Sequence, residues 1–405
     1  MKTKRVVLAV AILVIVVVAS AAYYLMLPKA PVAATIKVGV VGELTGPWAY
    51  SGTSVLDGIR FAVKETNQAG GVLGRNLELV VGDSKSDPKE AVTLFRKMVE
   101  SDKVAAMIAG ISSDVSIAIR GEANQEKIPT MLLFAASAAV HTKDTRYVFR
   151  SPVQLAPPVM QALVAYFNSK GYVRVGLLIA DYAFGRSVEA SLRSALGNST
   201  TFQLSVQAAS VPETNFVPIL RKLQDFNPDV VVVAHPPGGV AAIKQMIDMG
   251  MDKTEVITAY AADWSEVWRG LGKDLFRIRV VDGWSYFDPN NPDYVKVAER
   301  FRNDTGKYMD KGTVAGYIQV KVLSAAIQNA NSLDPAKITD ALNQISYQSF
   351  IAFPMSYVPW GEFKAQRVVF ATIKPGAPPG AVNPGVEWHP EAIYISPPLT
   401  PYTPA

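Results

Sequence analysis

A chain of 405 residues, 49% hydrophobic and 19% charged, is long and apolar enough to bury more than one globular core. Its formal charge of +5 falls to +2 for residues 6–405 once Lys2, Lys4 and Arg5 are set aside, and no basic stripe interleaves with aromatics, which excludes a nucleic-acid partner. The absence of cysteine removes disulfides, thiolate metal sites and cysteine nucleophiles, and His141, His235 and His389 are too scattered for a histidine metal centre, so no metal or cofactor is expected.

Lys2, Lys4 and Arg5 precede an apolar stretch over residues 6–27 that ends at Pro28. As a helix this stretch reaches roughly 33 Å, enough to cross a bilayer core, and the basic residues before it place the remainder outside the cytoplasm. Residues 1–34 therefore read as an N-terminal membrane anchor with a short linker, or as a signal peptide cleaved after Ala19-Ser20-Ala21, whose small residues suit a signal peptidase.

From Ile36 onward, short β-branched runs alternate with helical periodicity. Strands are predicted at 36–41, 77–83, 104–109 and 130–134. Between the first two, Val55, Ile59, Ala62, Val63 and Thr66 recur at helical spacing; between the next two, Ala91, Leu94, Phe95 and Met98 do the same. A second series follows Ser151-Pro152, with strands at 173–180, 202–208, 230–234, 255–258 and 277–281. Helices at 314–330 and 335–344 and a late strand at 367–373 complete the pattern. This alternation is that of an α/β protein with two doubly wound parallel-sheet lobes and a cleft between them, onto which both lobes direct the loops at their strand ends. The expected division is 35–152 with 287–346 for lobe 1, and 153–286 with 347–374 for lobe 2. Nine prolines from Pro375 to Pro404 mark 375–405 as a tail.

Several turns then occur in a telling order: Gly46-Pro47 with Gly52, the run from Asn67 through Gly70-Gly71 to Gly74-Arg75, Asp83 followed by Asp87-Pro88, Gly110-Ile111-Ser112-Ser113, Phe134-Ala135-Ala136-Ser137, and Asp181 with Gly185. In this order and spacing the chain resembles the branched-chain amino-acid type of solute-binding protein of ABC importers, which has the type I periplasmic-binding fold. The resemblance covers about 36–373. It implies three crossings between lobes, near 151–154, 285–287 and 346–353, and no catalytic residues.

The residues themselves point to a polar site. Ser113 follows a strand and opens a helix, where its hydroxyl and neighbouring N–H groups suit a carboxylate, although the same serine serves equally well as a plain cap. Ser137 opens the adjacent turn in the same way. The resemblance implies that Ser113, Ala135 and Ser137 hold the carboxylate and amino group of the ligand, with Ala136 beside them. Trp48, Tyr50 and Ser51 in the first loop, with Phe184, Tyr260 and Trp264, form a candidate aromatic wall; Trp264 also suits an i, i+4 pair with Trp268. The chain departs from the family in lobe 2. Tyr260 stands where an acidic residue is usual, with Asp263 three residues on, and His235 stands where an aromatic is common. Tyrosine is a poor partner for a buried ammonium group, so an α-amino acid fits only if Asp263 takes that role.

The function implied is capture of a small polar molecule, such as an amino acid, an amide or a related carboxylate. A monomer outside the cytoplasm would close its lobes on this ligand and deliver it to an ABC permease. The alternative is an extracellular sensing module for a membrane signalling partner. An enzyme is not expected, because no nucleophile elbow, phosphate loop or dinucleotide glycine motif occurs.

Overall fold

The computed structural model describes residues 34–258, 270–376 and 388–404. The N-terminal apolar segment, Tyr260, Asp263, Trp264 and Trp268 lie outside the described residues.

The first sheet holds β1 (Ile36–Gly42), β2 (Leu77–Asp83), β3 (Ala106–Ala109), β4 (Thr130–Leu132) and β5 (Val148–Phe149), in the order β2-β1-β3-β4-β5. All neighbours in it are parallel. Its strands are joined by α1 (Ala49–Gln68), α2 (Pro88–Glu100) and α3 (Ser113–Glu126). Alternation along β1 explains the layering: Ile36, Val38 and Val40 join one core and Val41 the other. Asp87 starts α2, its Oδ1 accepting from the Lys89 and Glu90 amides at 2.7 and 3.1 Å, with Pro88 preset for the first turn.

The second sheet contains β6 (Arg174–Ala180), β7 (Gln203–Ala209), β8 (Val230–Ala234), β9 (Glu255–Thr258), β10 (Val280–Ser285), β11 (Val369–Pro375) and β12 (Trp388–Ile395), ordered β12-β11-β10-β9-β8-β6-β7. The five strands β6 to β10 run parallel; β11 and then β12 add antiparallel. The four-valine run of β8 is buried on both faces, as expected of a central strand. With this sheet go α4 (Ala156–Lys170), α5 (Ala183–Leu196), α6 (Val217–Phe226) and α7 (Gly239–Asp248). The expected doubly wound, two-lobed α/β architecture is present.

After β10 the chain returns to the first lobe as α8 (Pro292–Thr305), α9 (Lys311–Ala330) and α10 (Pro335–Gln344). Helix α9 packs closely on α1: a Cβ on Gly58 would lie 2.0 Å from the Thr313 carbonyl oxygen, so only glycine permits this approach. Two boundaries differ from expectation. Residues 388–395, read as part of a tail, form β12, which lengthens the second sheet by pairing with β11. Much of 347–366, assigned to lobe 2, packs on the first lobe instead: the Tyr357 ring lies edge-on to Phe149 at 5.2 Å, and Arg150 N donates to Gly361 O at 3.0 Å. Gly361 has φ +81°, and a Cβ there would fall 1.8 Å from the Val148 carbonyl oxygen.

Candidate functional site

The strand ends of the first sheet bring the two serine turns together. Ser112 caps α3, its Oγ accepting from Val115 N at 3.4 Å, which leaves Ser113 as the first helical residue. Ser113 Oγ accepts from Ser137 N at 3.3 Å, and Ser137 Oγ accepts from Ala139 N at 3.2 Å. Both serines are buried. Ser113 and Asp114 open α3, where first-turn amides have no partner within the helix and carry the positive end of its dipole.

Beside them Glu43, which follows β1, places Oε1 within 2.9 Å of Ile111 N and 2.7 Å of Ser112 N, both donating to it. Burial pushes its carboxyl up to about 7, against the lowering effect of those two amides. The sequence reading missed this residue, although an acid directly after a valine-rich strand was the available signal.

Ala135 lies under the same turn, and its carbonyl accepts from Arg150 Nη1. Arg150 is buried and also donates through Nε to both oxygens of Glu362 at 2.7 Å; His141 Nδ1 sits 2.8 Å from Glu362 Oε1, and His141 Nε2 sits 3.2 Å from Val148 O. Burial alone would raise the Glu362 carboxyl, but the Arg150 charge, followed by His141, draws it down to about 2. Burial lowers the His141 pKa despite the pull of Glu362, so the ring is neutral near pH 7.

Contacts with the second lobe form here too. The Trp48 ring lies 5.4 Å from Tyr182, which in turn lies 6.0 Å from buried Phe184, and Ala138 N donates to Ser187 Oγ at 3.0 Å. A groove of about 580 Å³ runs between the lobes, lined by Ser137 and Ala138 on one side and by Gln161, Arg186 and Ser187 on the other, with Tyr402 at its edge. The volume is within the range of small-molecule sites.

Two expected ligand contacts turn out to be engaged elsewhere. Tyr50 OH donates to Asp310 Oδ2 at 2.7 Å, joining the cap of α9, where Asp310 Oδ1 accepts from Thr313 N at 3.0 Å. His235 uses both ring nitrogens within its own lobe: Nε2 lies 2.8 Å from Ser210 O, and Nδ1 accepts from Gly238 N at 3.1 Å. It packs edge-on to Phe216, and burial lowers its pKa. Ser51, in the first turn of α1, is half-buried; Ala136 is buried, and its carbonyl accepts from Ala156 N at 3.0 Å.

Farther back, a buried ion pair joins the two lobes: Lys311 Nζ, in the first turn of α9, meets Asp282 of β10. Asp282 also accepts from Trp284 N at 2.8 Å, and Tyr286 OH donates to the Lys311 carbonyl. Among the described residues no group of side chains is arranged to hold a metal ion, and no helix is long and apolar enough to cross a membrane.

Two doubly wound lobes facing each other across polar strand ends define a two-lobed α/β binding protein. The chain belongs to the periplasmic binding protein family, whose model matches residues 35–376. It is 26% identical over 357 residues to Leu/Ile/Val-binding protein homolog 1 of Brucella suis biovar 1, covering 85% of this chain and 92% of that one. Among solved structures it resembles the leucine binding protein LivK of Thermotoga maritima, with a TM-score of 0.76, 20% identity and coverage of 89% and 98%. It also resembles a solute binding protein of an ABC transporter from Rhodopseudomonas palustris BisB5, solved with 3,4-dihydroxybenzoic acid, with a TM-score of 0.76, 18% identity and coverage of 91% and 96%.

Proposed function

We propose that this chain is an extracytoplasmic solute-binding protein that captures a small carboxylate-bearing molecule, an amino acid or a related acid, by lobe closure and delivers it to an ABC-type permease. The observation that carries the reading is the meeting of the Ser113 and Ser137 turns beside an inter-lobe groove, at the N-terminus of α3, where helix-opening amides suit an anion. Trp48 and Tyr182, tilted against each other across the lobes, cover an apolar part of the guest. Closure is favoured by whatever contacts the ligand makes to both lobes at once, since an interaction available in the open form as well shifts nothing. The names of the relatives, which specify leucine, isoleucine, valine and a dihydroxybenzoic acid, supply two ligand classes to try. Export follows from the N-terminal apolar segment with its basic start.

The test is a thermal-shift series with leucine, 3,4-dihydroxybenzoate, short amides and aliphatic acids. A true ligand at a hundredfold excess over its Kd adds about 2.7 kcal/mol to stability. Ser113→Ala should abolish the shift while the unliganded protein melts within a few degrees of the parent. A full shift in that variant removes Ser113 from the site, and silence across the series overturns the solute-binding reading.

A further inference from the structure

We propose that Glu43 is a ligand-contacting residue whose Oε2 shares a proton with the carboxylate of the bound solute, so that capture takes up a proton when Glu43 starts ionised. This rests on the solute-binding reading. Glu43 stands at the C-terminal end of β1, which lies between β2 and β3 in the first sheet. Its Oε1 is fully engaged by the Ile111 and Ser112 amides, one residue short of Ser113. Its Oε2 is buried and meets no hydrogen-bond partner among the described residues.

A buried carboxyl oxygen without a partner costs on the order of 1–3 kcal/mol, more if charged. The Ile111 and Ser112 amides and the Ser112 hydroxyl pull the Glu43 pKa down, but less than burial raises it, and Asp114, Asp83 and Gly52 bring no cation to Oε2. Asp114, in the first turn of α3, is negative and raises the Glu43 pKa further. Asp83, at the end of β2, is also negative, and its Oδ1 is occupied by Leu44 N and Thr45 N at 2.9 and 3.2 Å. From α1, Gly52 backs the Glu43 main-chain carbonyl and brings no charge.

The two amides make Oε1 the carbonyl-like oxygen of the acid, which leaves Oε2 to carry the proton. A carboxyl poised at about 7 can hold that proton under ordinary conditions. An incoming carboxylate on the adjacent Ser113 and Asp114 amides supplies the missing acceptor, in a charge-assisted O–H···O⁻ bond. Two carboxyls this close hold one proton between them, taken from solvent when Glu43 begins ionised; no other bond forms or breaks.

The affinity of the full chain for 3,4-dihydroxybenzoate and for leucine, measured from pH 5.5 to 8.5, tests this. Expected is a loss of affinity of about tenfold per pH unit above pH 7, the slope of one linked proton. Glu43→Gln keeps the two amide bonds and offers a permanent donor, so it should bind with a flat profile. Glu43→Ala should lose at least tenfold at pH 6. Unchanged binding by Glu43→Ala, equal slopes for parent and Glu43→Gln, or affinity that rises with pH each overturn the proposal.

If neither compound binds the parent at any pH, the failure falls on the carboxylate reading, and the protein alone decides about Glu43. A carboxyl whose folded pKa is raised stabilises fully below its unfolded value, and that stability is lost as pH rises through the folded value. The parent should therefore lose stability relative to Glu43→Gln between pH 4.5 and 7. Parallel curves would overturn the assignment of the proton to Glu43.

Discussion

Glu43 and Glu362 are both almost completely buried, at 0% and 2% exposure, yet their carboxyls are displaced in opposite directions, one up to about 7 and the other down to about 2. Burial acts on both with the same sign. The difference lies in what faces them: Glu362 has a guanidinium on both oxygens and an imidazole beside one, whereas Glu43 has amides on one oxygen and nothing recorded on the other. The first is a finished piece of structure, tying Glu362 through Arg150 to the turn that carries Ala135. The second keeps one buried oxygen without a hydrogen-bond partner among the described residues.

The sharpest way to break the comparison is to remove the finished pair. Glu362→Ala leaves Arg150 charged and buried, and chemical unfolding should show a loss of about 3–5 kcal/mol. Replacing both partners with Arg150→Met and Glu362→Leu should recover much of that loss; equal damage in the double variant would mean that packing, not uncompensated charge, is the cause.

Acid is the next probe. A carboxyl with a depressed folded pKa stabilises above its unfolded value, near 4.5, and that contribution disappears as pH falls toward 2. Melting temperatures should therefore drop more steeply over pH 4.5 to 2 in the parent than in Glu362→Gln, the mirror image of the window expected for Glu43.

Smaller effects calibrate the scale. Asp87, like Glu43, accepts from two successive backbone amides, but in solvent and as a helix cap, and Asp87→Ala should cost about 1 kcal/mol with no effect on ligand affinity. Lys296, exposed and 3.0 Å from exposed Asp293, should change stability by under about 0.5 kcal/mol on replacement by alanine.

Much of this architecture was readable from the chain. The parallel strands of both sheets and the first helices of lobe 1 fall near where alternation and helical spacing predict, because each burial pattern is a local property of the sequence. The C-terminal strand escaped because Pro390 and the proline-rich flank argue against a strand, and the long antiparallel return from β11 that allows one at a sheet edge is not a local signal. The helix at 311 began three residues before expectation because its cap, Asp310, rather than hydrophobic spacing, sets the end.

The site was legible in part. Ser113 and Ser137 are turn residues at adjacent strand ends, and their pairing follows from the fold. The structural partners of Tyr50 and His235 could not be foreseen: Asp310 lies 260 residues from Tyr50, and Ser210 lies 25 residues from His235 in a separate loop. The Arg150–Glu362 pair, 212 residues apart, was invisible for the same reason.

The Lys311–Asp282 pair constrains how such a molecule can open. Sliding the halves apart along this seam would strand two opposite charges in a medium of low dielectric, at a cost of several kcal/mol. For the proposed lobe closure this favours a rotation that keeps the Lys311–Asp282 contact buried over a shear that pulls it apart.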